Sequence, residues 1–275
     1  MINVETANEG YKELLNLIKD EGVEYNIRGS KCKEVINVSY RINDIRRRII
    51  TEVNRKFPVR ACIAEFLWYM TGDSRYAVIE PFLSAWKNYS DDFVNVNSNY
   101  GYQWQYPHDQ IKGIIKKIKN DSHTRQAVVC LYDKSYSEYY GKDNICTPTF
   151  QLFFRDDKLH LTVNSRSRDL IRGECIDQFT FTCLQELVAN ELGVEPGYYQ
   201  NNIGSLHIYE THYHLLDCEP VFEKVNYEEK IYPKYSNFWN YIDLYHKGIE
   251  RADFICDIVK EKKIDLGHFL KYANI

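Results

Sequence analysis

Three things are missing from this 275-residue chain, and each absence removes a class of function. Its eight cysteines (Cys32, Cys62, Cys130, Cys146, Cys175, Cys183, Cys218, Cys256) include no C-x-x-C pair and no Cys/His zinc spacing, so neither a disulfide framework nor a metal is expected. In a reducing compartment most of them serve as small buried hydrophobes. Basic charge is not in surplus: 35 Lys and Arg face 39 Asp and Glu, for a formal net charge of -4. Binding along a phosphate backbone leaves a basic footprint, so nucleic acid is not the expected partner and any phosphate grip is local. Finally, no apolar run of signal-peptide type follows Met1, and none reaches the roughly 18 residues of a membrane span. A soluble, cytoplasmic protein with no membrane partner is expected. A chain of this length buries a sizeable core without staples, and 1–275 is read as a single domain.

What is present is organised around residues 143–213. Cys146 leads into a pair of apolar runs read as two strands, and Arg166-Ser167-Arg168-Asp169 closes that pair. Asp177 then enters a helix expected over 178–192, with Phe179, Cys183, Leu187 and Val188 on its buried face and Gly193 and Pro196 ending it. A nucleophile, an anion grip and a carboxyl group thus lie close in sequence. His207 and Tyr209 alternate on a following strand, so both point to one face.

Upstream, NEGYKELLNLIK (Asn8 to Lys19) places Tyr11, Leu14, Leu15 and Ile18 on one side of an amphipathic helix. Residues 23–42 alternate in part around Asn26-Ile27-Arg28-Gly29-Ser30, by its residues alone a solvated hairpin tip. VRACIAEFLWYMT (Val59 to Thr71) is a nearly all-apolar helix interrupted by Glu65. A buried carboxylate needs a partner, Arg60 or Arg75 being the candidates, or a function. Trp86 and Trp104 flank the polar loop 91–99, a helix with an isoleucine stripe follows over 111–121, and 122–133 passes from a polar loop into a β-branched strand.

Taken in order, several segments resemble the folate-dependent thymidylate synthase superfamily. They are AEFLWYMTGD (Ala64 to Asp73), SAWKNY (Ser84 to Tyr89), NYGYQW (Asn99 to Trp104), KNDSHTR (Lys119 to Arg125), Cys146 with its strand pair, the Arg-Ser-x-Asp cluster, and His207-Ile208-Tyr209. The resemblance runs from about Arg28 to Tyr213. It implies an α+β fold, a three-layer α/β arrangement with a large twisted mixed sheet and flanking helices. It also implies a homodimer that binds a pyrimidine nucleoside monophosphate and uses 5,10-methylenetetrahydrofolate as co-substrate. By the same resemblance Cys146 is the nucleophile, Glu65 a water and proton relay, and Tyr100 a neighbour of the reacting carbon. Trp86 and Asp169 flank the folate, and His207 and Tyr209 take the sugar. Arg28, Arg166 and Ser167, with Arg125 donated across the dimer interface, hold the phosphate.

The chemistry explains why these residue types belong together. A pyrimidine C5 is too weakly nucleophilic to attack a one-carbon donor until a thiolate adds at C6, and the Arg166 charge is suited to activating that thiol. Guanidinium forks match phosphate oxygens. Asp177 bears on the base. Thymidylate synthases place an Asn here that reads uracil, whereas a carboxyl group suits the amino edge of cytosine, and Asp is found in the family's cytidylate hydroxymethylases. Read without the resemblance, Asp177 is equally a helix N-cap.

The departures from the synthase pattern gather around the one-carbon donor. Thr147 stands where a His follows the cysteine, and Ser165 replaces a Gln; apart from these, at the phosphate grip, Gln126 replaces the second of two arginines. Arg172-Gly173-Glu174-Cys175-Ile176 replaces Leu-Gly-x-Pro-Phe, and the tail reads GHFLKYANI. Arg168, foreign to the pattern, is expected to supply the missing phosphate cation. Altered closure lets water capture the exocyclic methylene, so the expected reaction is 5-hydroxymethylation of CMP or dCMP. The alternatives are a thymidylate synthase or dUMP hydroxymethylase, a dCMP 5-methyltransferase, and an inactive nucleotide- or RNA-binding homologue. Retention of Cys146 with Arg166 and Asp177 argues against the last.

Overall fold

Local chemistry places the elements before packing joins them. The computed structural model describes residues 1–27, 29–223 and 234–238. After the short β1 (Ile2–Val4), helix α1 (Ala7–Glu21) starts where the Thr6 hydroxyl accepts the Glu9 N–H at 3.1 Å. Its buried side carries the Tyr11, Leu14, Leu15 and Ile18 stripe expected from the periodicity. β2 (Val23–Ile27) and β3 (Ser30–Ile42) form the hairpin whose tip includes Arg28, itself outside the described residues.

Helix α2 (Val59–Thr71) is buried almost all round, as its near-continuous apolar sequence requires. The single turn α3 (Tyr76–Ile79) and α4 (Tyr100–Gln105) follow. Helix α4 lies directly against α2 because Gly101 has no side chain: a Cβ there would stand 1.8 Å from the Tyr69 carbonyl oxygen. Helix α5 (Gln110–Asn120) begins at an Asp109 cap and buries Ile111, Ile114, Ile115 and Ile118. Each of these isoleucines contributes about 1.5–3 kcal/mol by leaving water.

The strands β4 (Val128–Cys130), β5 (Thr149–Arg155), β6 (Lys158–Ser165), β7 (Arg168–Asp169) and, after helix α6 (Cys175–Leu192), β8 (Glu195–Tyr209) complete an eight-stranded sheet. Its order is β1-β3-β8-β6-β5-β4, with β2 added on β3 and β7 on β8. The sheet is mixed: β1 runs parallel to β3, β6 and β7 run parallel to β8, and the other pairings are antiparallel. Helix α6 packs on β6 and β8, and α2 packs on α6, which gives a sheet and two tiers of helix. This is the α+β arrangement with a large mixed sheet and flanking helices that the sequence implied. Among the described residues, no helix is long and apolar enough to cross a membrane.

Helix α6 departs from expectation in two ways. It starts at Cys175 rather than Gln178, continuing from a wide turn over Leu170–Glu174 that Asp169 caps through the N–H groups of Ile171 and Arg172. And it is buried on nearly all sides, not one face, because it is the middle layer. Its polar residues therefore need internal partners. Thr182 donates to the Gln178 carbonyl at 2.7 Å, and the Gln185 amide donates to the Leu159 carbonyl at 2.8 Å. Gly193, at φ +73°, then closes the helix in the left-handed conformation.

Candidate active site

The segment carrying Cys146 is held by main-chain bonds and one guanidinium. Asp143, wholly buried, accepts the N–H groups of Asn97 and, at 2.8 Å, Ser98, which ties this segment to the loop leading into α4. The Arg166 N–H donates to the Cys146 carbonyl at 2.9 Å, while its side chain donates to the carbonyls of Ile145 (2.7 Å) and Asn144 (3.1 Å). That geometry brings Arg166 Nη2 to 3.7 Å from Cys146 Sγ. The adjacency of Cys146 and Arg166 expected from the sequence is thus present. The arginine grips the backbone of the cysteine loop and still reaches solvent, and Cys146 is half-buried.

Glu65 sits on the side of α2 that faces the loop after α3. Among the described residues it has no cationic partner. Trp86, in the short 3-10 helix Ser84–Asn88, donates its indole N–H to Oε2 at 2.9 Å, and Tyr69 donates its hydroxyl to Oε1 at 3.1 Å. The proposed pairing with Arg60 or Arg75 is not found: Arg75 binds Asp73 at 3.0 Å, and Arg60 lies over the Phe82 ring. Burial pushes the Glu65 carboxyl up to about 8, the negative charge of Asp177 adds to this, and the Trp86 and Tyr69 donors oppose it. A carboxyl with that value carries its proton at neutral pH and is able to give it up, as a proton relay requires.

Asp177 lies in the first turn of α6, not at its N-cap, so the capping explanation for this acid fails. It faces Arg168, which is buried to 2 % exposure and so lies too deep for the expected phosphate role. Arg168 Nη1 makes a close ion pair with Asp177 Oδ2 and lies 3.2 Å from the Tyr100 hydroxyl. Its Nη2 donates to Thr147 Oγ1, and its Nε lies 3.2 Å from Glu174 Oε2. Thr147 in turn donates to the Tyr100 oxygen at 3.1 Å, and Tyr100 donates to Asp177 Oδ2 at 3.2 Å. The Asp177 carboxyl is raised overall, by burial first, while the Arg168 charge and the hydrogen bonds from Tyr100 and Arg168 pull it part of the way back. Tyr100 is raised as well, chiefly by burial and then by the Asp177 charge, and therefore keeps its hydroxyl proton.

Across the mouth, Tyr89 adds a wall beside Trp86, the two rings 5.7 Å apart at 66°. Tyr89 is partly exposed, and its hydroxyl is raised by burial first and by the Asp169 charge next, with the Arg172 charge opposing and Cys146 and Glu65 adding to the effect. The Asp169 hydrogen bonds use only Oδ1, which leaves Oδ2 for a ligand. On the neighbouring strand Asp169 is in register with His207, and the His207 ring stands edge-on to Tyr209 at 5.1 Å. Burial lowers the His207 imidazole against the pull of Asp169. Ser167 is half-buried between the two arginines.

One chain therefore brings together Cys146, Arg166, Ser167, Asp169, Tyr100, Asp177, Glu65, Trp86, His207 and Tyr209. It does not bring in Arg125. That residue is exposed beyond the start of β4, near the Arg155 end of β5, whereas Cys146 precedes the Thr149 end. Arg28 and the tail from Gly267 lie outside the described residues. Tyr69, Tyr89 and Glu174 were not identified as site residues from sequence. Tyr69 had a signal, since it stands four residues from Glu65 on the same helix face.

A family model described as thymidylate synthase matches residues 9–236. The chain is 29% identical over 250 residues to the deoxyuridylate hydroxymethyltransferase of Bacillus phage SP01, covering 85% of this chain and 65% of that protein. It is 33% identical over 188 residues to the deoxyuridylate hydroxymethyltransferase of Delftia phage PhiW-14, covering 64% of this chain and 52% of the relative. The chain thus spans between about half and two thirds of the length of these relatives.

Proposed function

The chain belongs to the thymidylate synthase family, and from that premise we propose that it is a folate-dependent hydroxymethyltransferase that modifies C5 of a pyrimidine nucleoside monophosphate. The observation that carries this reading is the convergence of Cys146, Arg166, Glu65 and Asp177 on one site between α2, α6 and the β5–β6 hairpin. Both relatives named above are hydroxymethyltransferases, which supports the same reaction class.

In this mechanism the Cys146 thiolate adds to C6 of the base and makes C5 nucleophilic. The co-substrate 5,10-methylenetetrahydrofolate supplies a one-carbon unit at the oxidation level of formaldehyde. The Trp86 and Tyr89 wall and the free Oδ2 of Asp169 suit its ring system. Glu65, protonated at neutral pH, gives a proton to the base oxygen or nitrogen side and takes it back as C5 loses its hydrogen. Arg166 and Ser167 face the nucleotide phosphate, His207 and Tyr209 face the sugar, and Arg28 and a partner subunit's Arg125 complete the phosphate grip in a homodimer. C5 bonds the one-carbon unit and loses its proton, tetrahydrofolate departs to leave an exocyclic methylene, water adds to that carbon, and the Cys146 thiolate leaves C6, giving the 5-hydroxymethyl nucleotide and free enzyme.

Asp177 supports a cytosine nucleotide, CMP or dCMP, because an ionised carboxyl accepts from an N4 amino group and repels the O4 of uracil. The names of the two relatives favour deoxyuridylate instead. Incubating the full chain with methylenetetrahydrofolate and CMP, dCMP or dUMP separately, followed by mass spectrometry, decides between them. A hydroxymethyl product from a cytosine nucleotide is expected. A hydroxymethyl product from dUMP alone assigns the substrate of the relatives, and a methyl product rejects the capture of water.

A further inference from the structure

We propose that Arg168 is a positioning residue for base selection, fixing Asp177 as an ionised carboxylate with one inward-tied oxygen and one oxygen free for the base. This rests on the proposed reading of the site as a pyrimidine nucleotide pocket.

Three residues that differ from the synthase pattern, Thr147, Arg168 and Asp177, are separated in sequence but meet, together with Glu174, around one guanidinium. Together with Tyr100 they close a ring: Arg168 to Thr147, Thr147 to Tyr100, Tyr100 to Asp177, and Asp177 back to Arg168. Both contacts to Asp177 fall on Oδ2, and its side chain keeps 10 % exposure. The ring thus presents Oδ1 to a ligand as an acceptor with no donor beside it. A protonated Asp177 would present a hydroxyl donor and a carbonyl acceptor, the same pair as an asparagine amide, and so would accommodate uracil. The charge on Asp177 decides which edge is read, and Arg168 supplies the contact that keeps the charge.

The opposite face of Arg168 is held too. Glu174 receives Asn201 at 2.8 Å and the hydroxyls of Tyr199 (3.3 Å) and Tyr40, so the carboxylate that orients the guanidinium is itself immobilised by β3 and β8. The titratable groups facing Asp177 are Arg168 from β7, Tyr100 from α4, Glu65 and Tyr69 from α2, Tyr199 from β8 and Glu174 from the turn before its own helix. Among the described residues, Arg168 is the one cation of this set.

The test is equilibrium binding of CMP, dCMP, UMP and dUMP to the full chain without folate, from about pH 6 to about 8, over which a single titrating carboxyl changes its charge. Taking the ratio of cytosine to uracil affinity cancels the titration of the phosphate. With Glu65→Gln in every arm, which removes the neighbouring carboxyl raised to about 8, the ratio should stay flat while Arg168 is intact. Arg168→Met combined with Glu174→Gln, which removes both members of the ion pair, should lower the ratio at least about tenfold at the acid end and restore it as pH rises, following the titration of Asp177. Arg168→Lys should keep the wild-type preference within a few-fold. Arg168→Gln, which retains a donor to Thr147, gives the same reading as the double variant if that protein does not fold. A folded variant with the wild-type ratio and a flat profile overturns the proposal. A wild type that prefers uracil overturns the cytosine reading, yet a pH dependence that appears only on replacing Arg168 would still support its hold on the Asp177 charge.

Discussion

Helix α6 carries two buried arginine–carboxylate clusters, one along its middle and one at its start, and they differ in how completely they are closed. In the middle, Glu186 gives one oxygen to Arg46 at 2.9 Å and the other to the wholly buried Arg48, which also donates to Cys183 Sγ at 3.2 Å. Two cations share one carboxylate, and both of its oxygens are used. At the start, one guanidinium serves two carboxylates, Asp177 and Glu174, and Asp177 keeps an oxygen toward the site. A closed cluster returns its desolvation cost only as structure. An open one spends part of it holding a group ready for a ligand, which is why the titrating residues collect at that end.

Replacing Glu186 with Ala should produce the largest effect on stability, because it leaves the buried Arg48 without its carboxylate. A loss of about 3–5 kcal/mol is expected from the midpoint of chemical unfolding, with the base preference of the remaining folded protein unchanged. A shifted preference would mean that the two clusters are coupled along α6.

Glu65→Gln should affect chemistry more than folding. Turnover should fall about 10²- to 10⁴-fold, the usual contribution of a positioned proton relay. The sign of the pH effect follows from the raised carboxyl. Because the folded protein holds the Glu65 proton from its ordinary value of 4.5 up to about 8, the unfolded chain binds fewer protons in that window, and this group's contribution to stability is lost as pH rises through it. The Gln variant should therefore show a flatter stability profile between those values and lose the alkaline limb of activity near pH 8. An unaltered alkaline limb would remove Glu65 from the relay.

The smallest effect is expected from Trp86→Phe, which deletes the 2.9 Å indole donor to Glu65 but keeps an apolar wall. Losing a donor to the ionised form raises the carboxyl further, so the alkaline limb should move upward by about one pH unit, the scale of one hydrogen bond of about 1–3 kcal/mol. Movement in the opposite direction would show that Trp86 acts on Glu65 through packing rather than through its N–H.

Much of this was legible in the chain itself. The α1 and α5 stripes follow from helical spacing, and α2 from an apolar run too long for a strand, so their boundaries fall within a residue or two of expectation. Glu65 stood out as an acid in an apolar helix, and Cys146 and Arg166 as a nucleophile and a cation around one hairpin. The fully buried character of α6 was not legible, since its apolar and polar residues alternate without a clean face and only the α2 tier above it shows that both sides are covered.

Arg168 marks where local reading ends. Two arginines flank Ser167, and nothing in Arg-Ser-Arg-Asp shows which one reaches the surface. The assignment to phosphate binding failed because β7 pairs with β8 at Arg168↔Leu206, which turns Arg168 into the interior while Arg166 remains outside. The sequence by itself determined the family, the strand and helix succession, and the chemical inventory of nucleophile, acids and cations, because periodicity and ordered motifs are local properties. Only the tertiary structure decided which charges pair, because a buried cation is placed by strands and helices distant in sequence. That pairing ties one oxygen of Asp177 to Arg168 and Tyr100 and leaves the other without a donor.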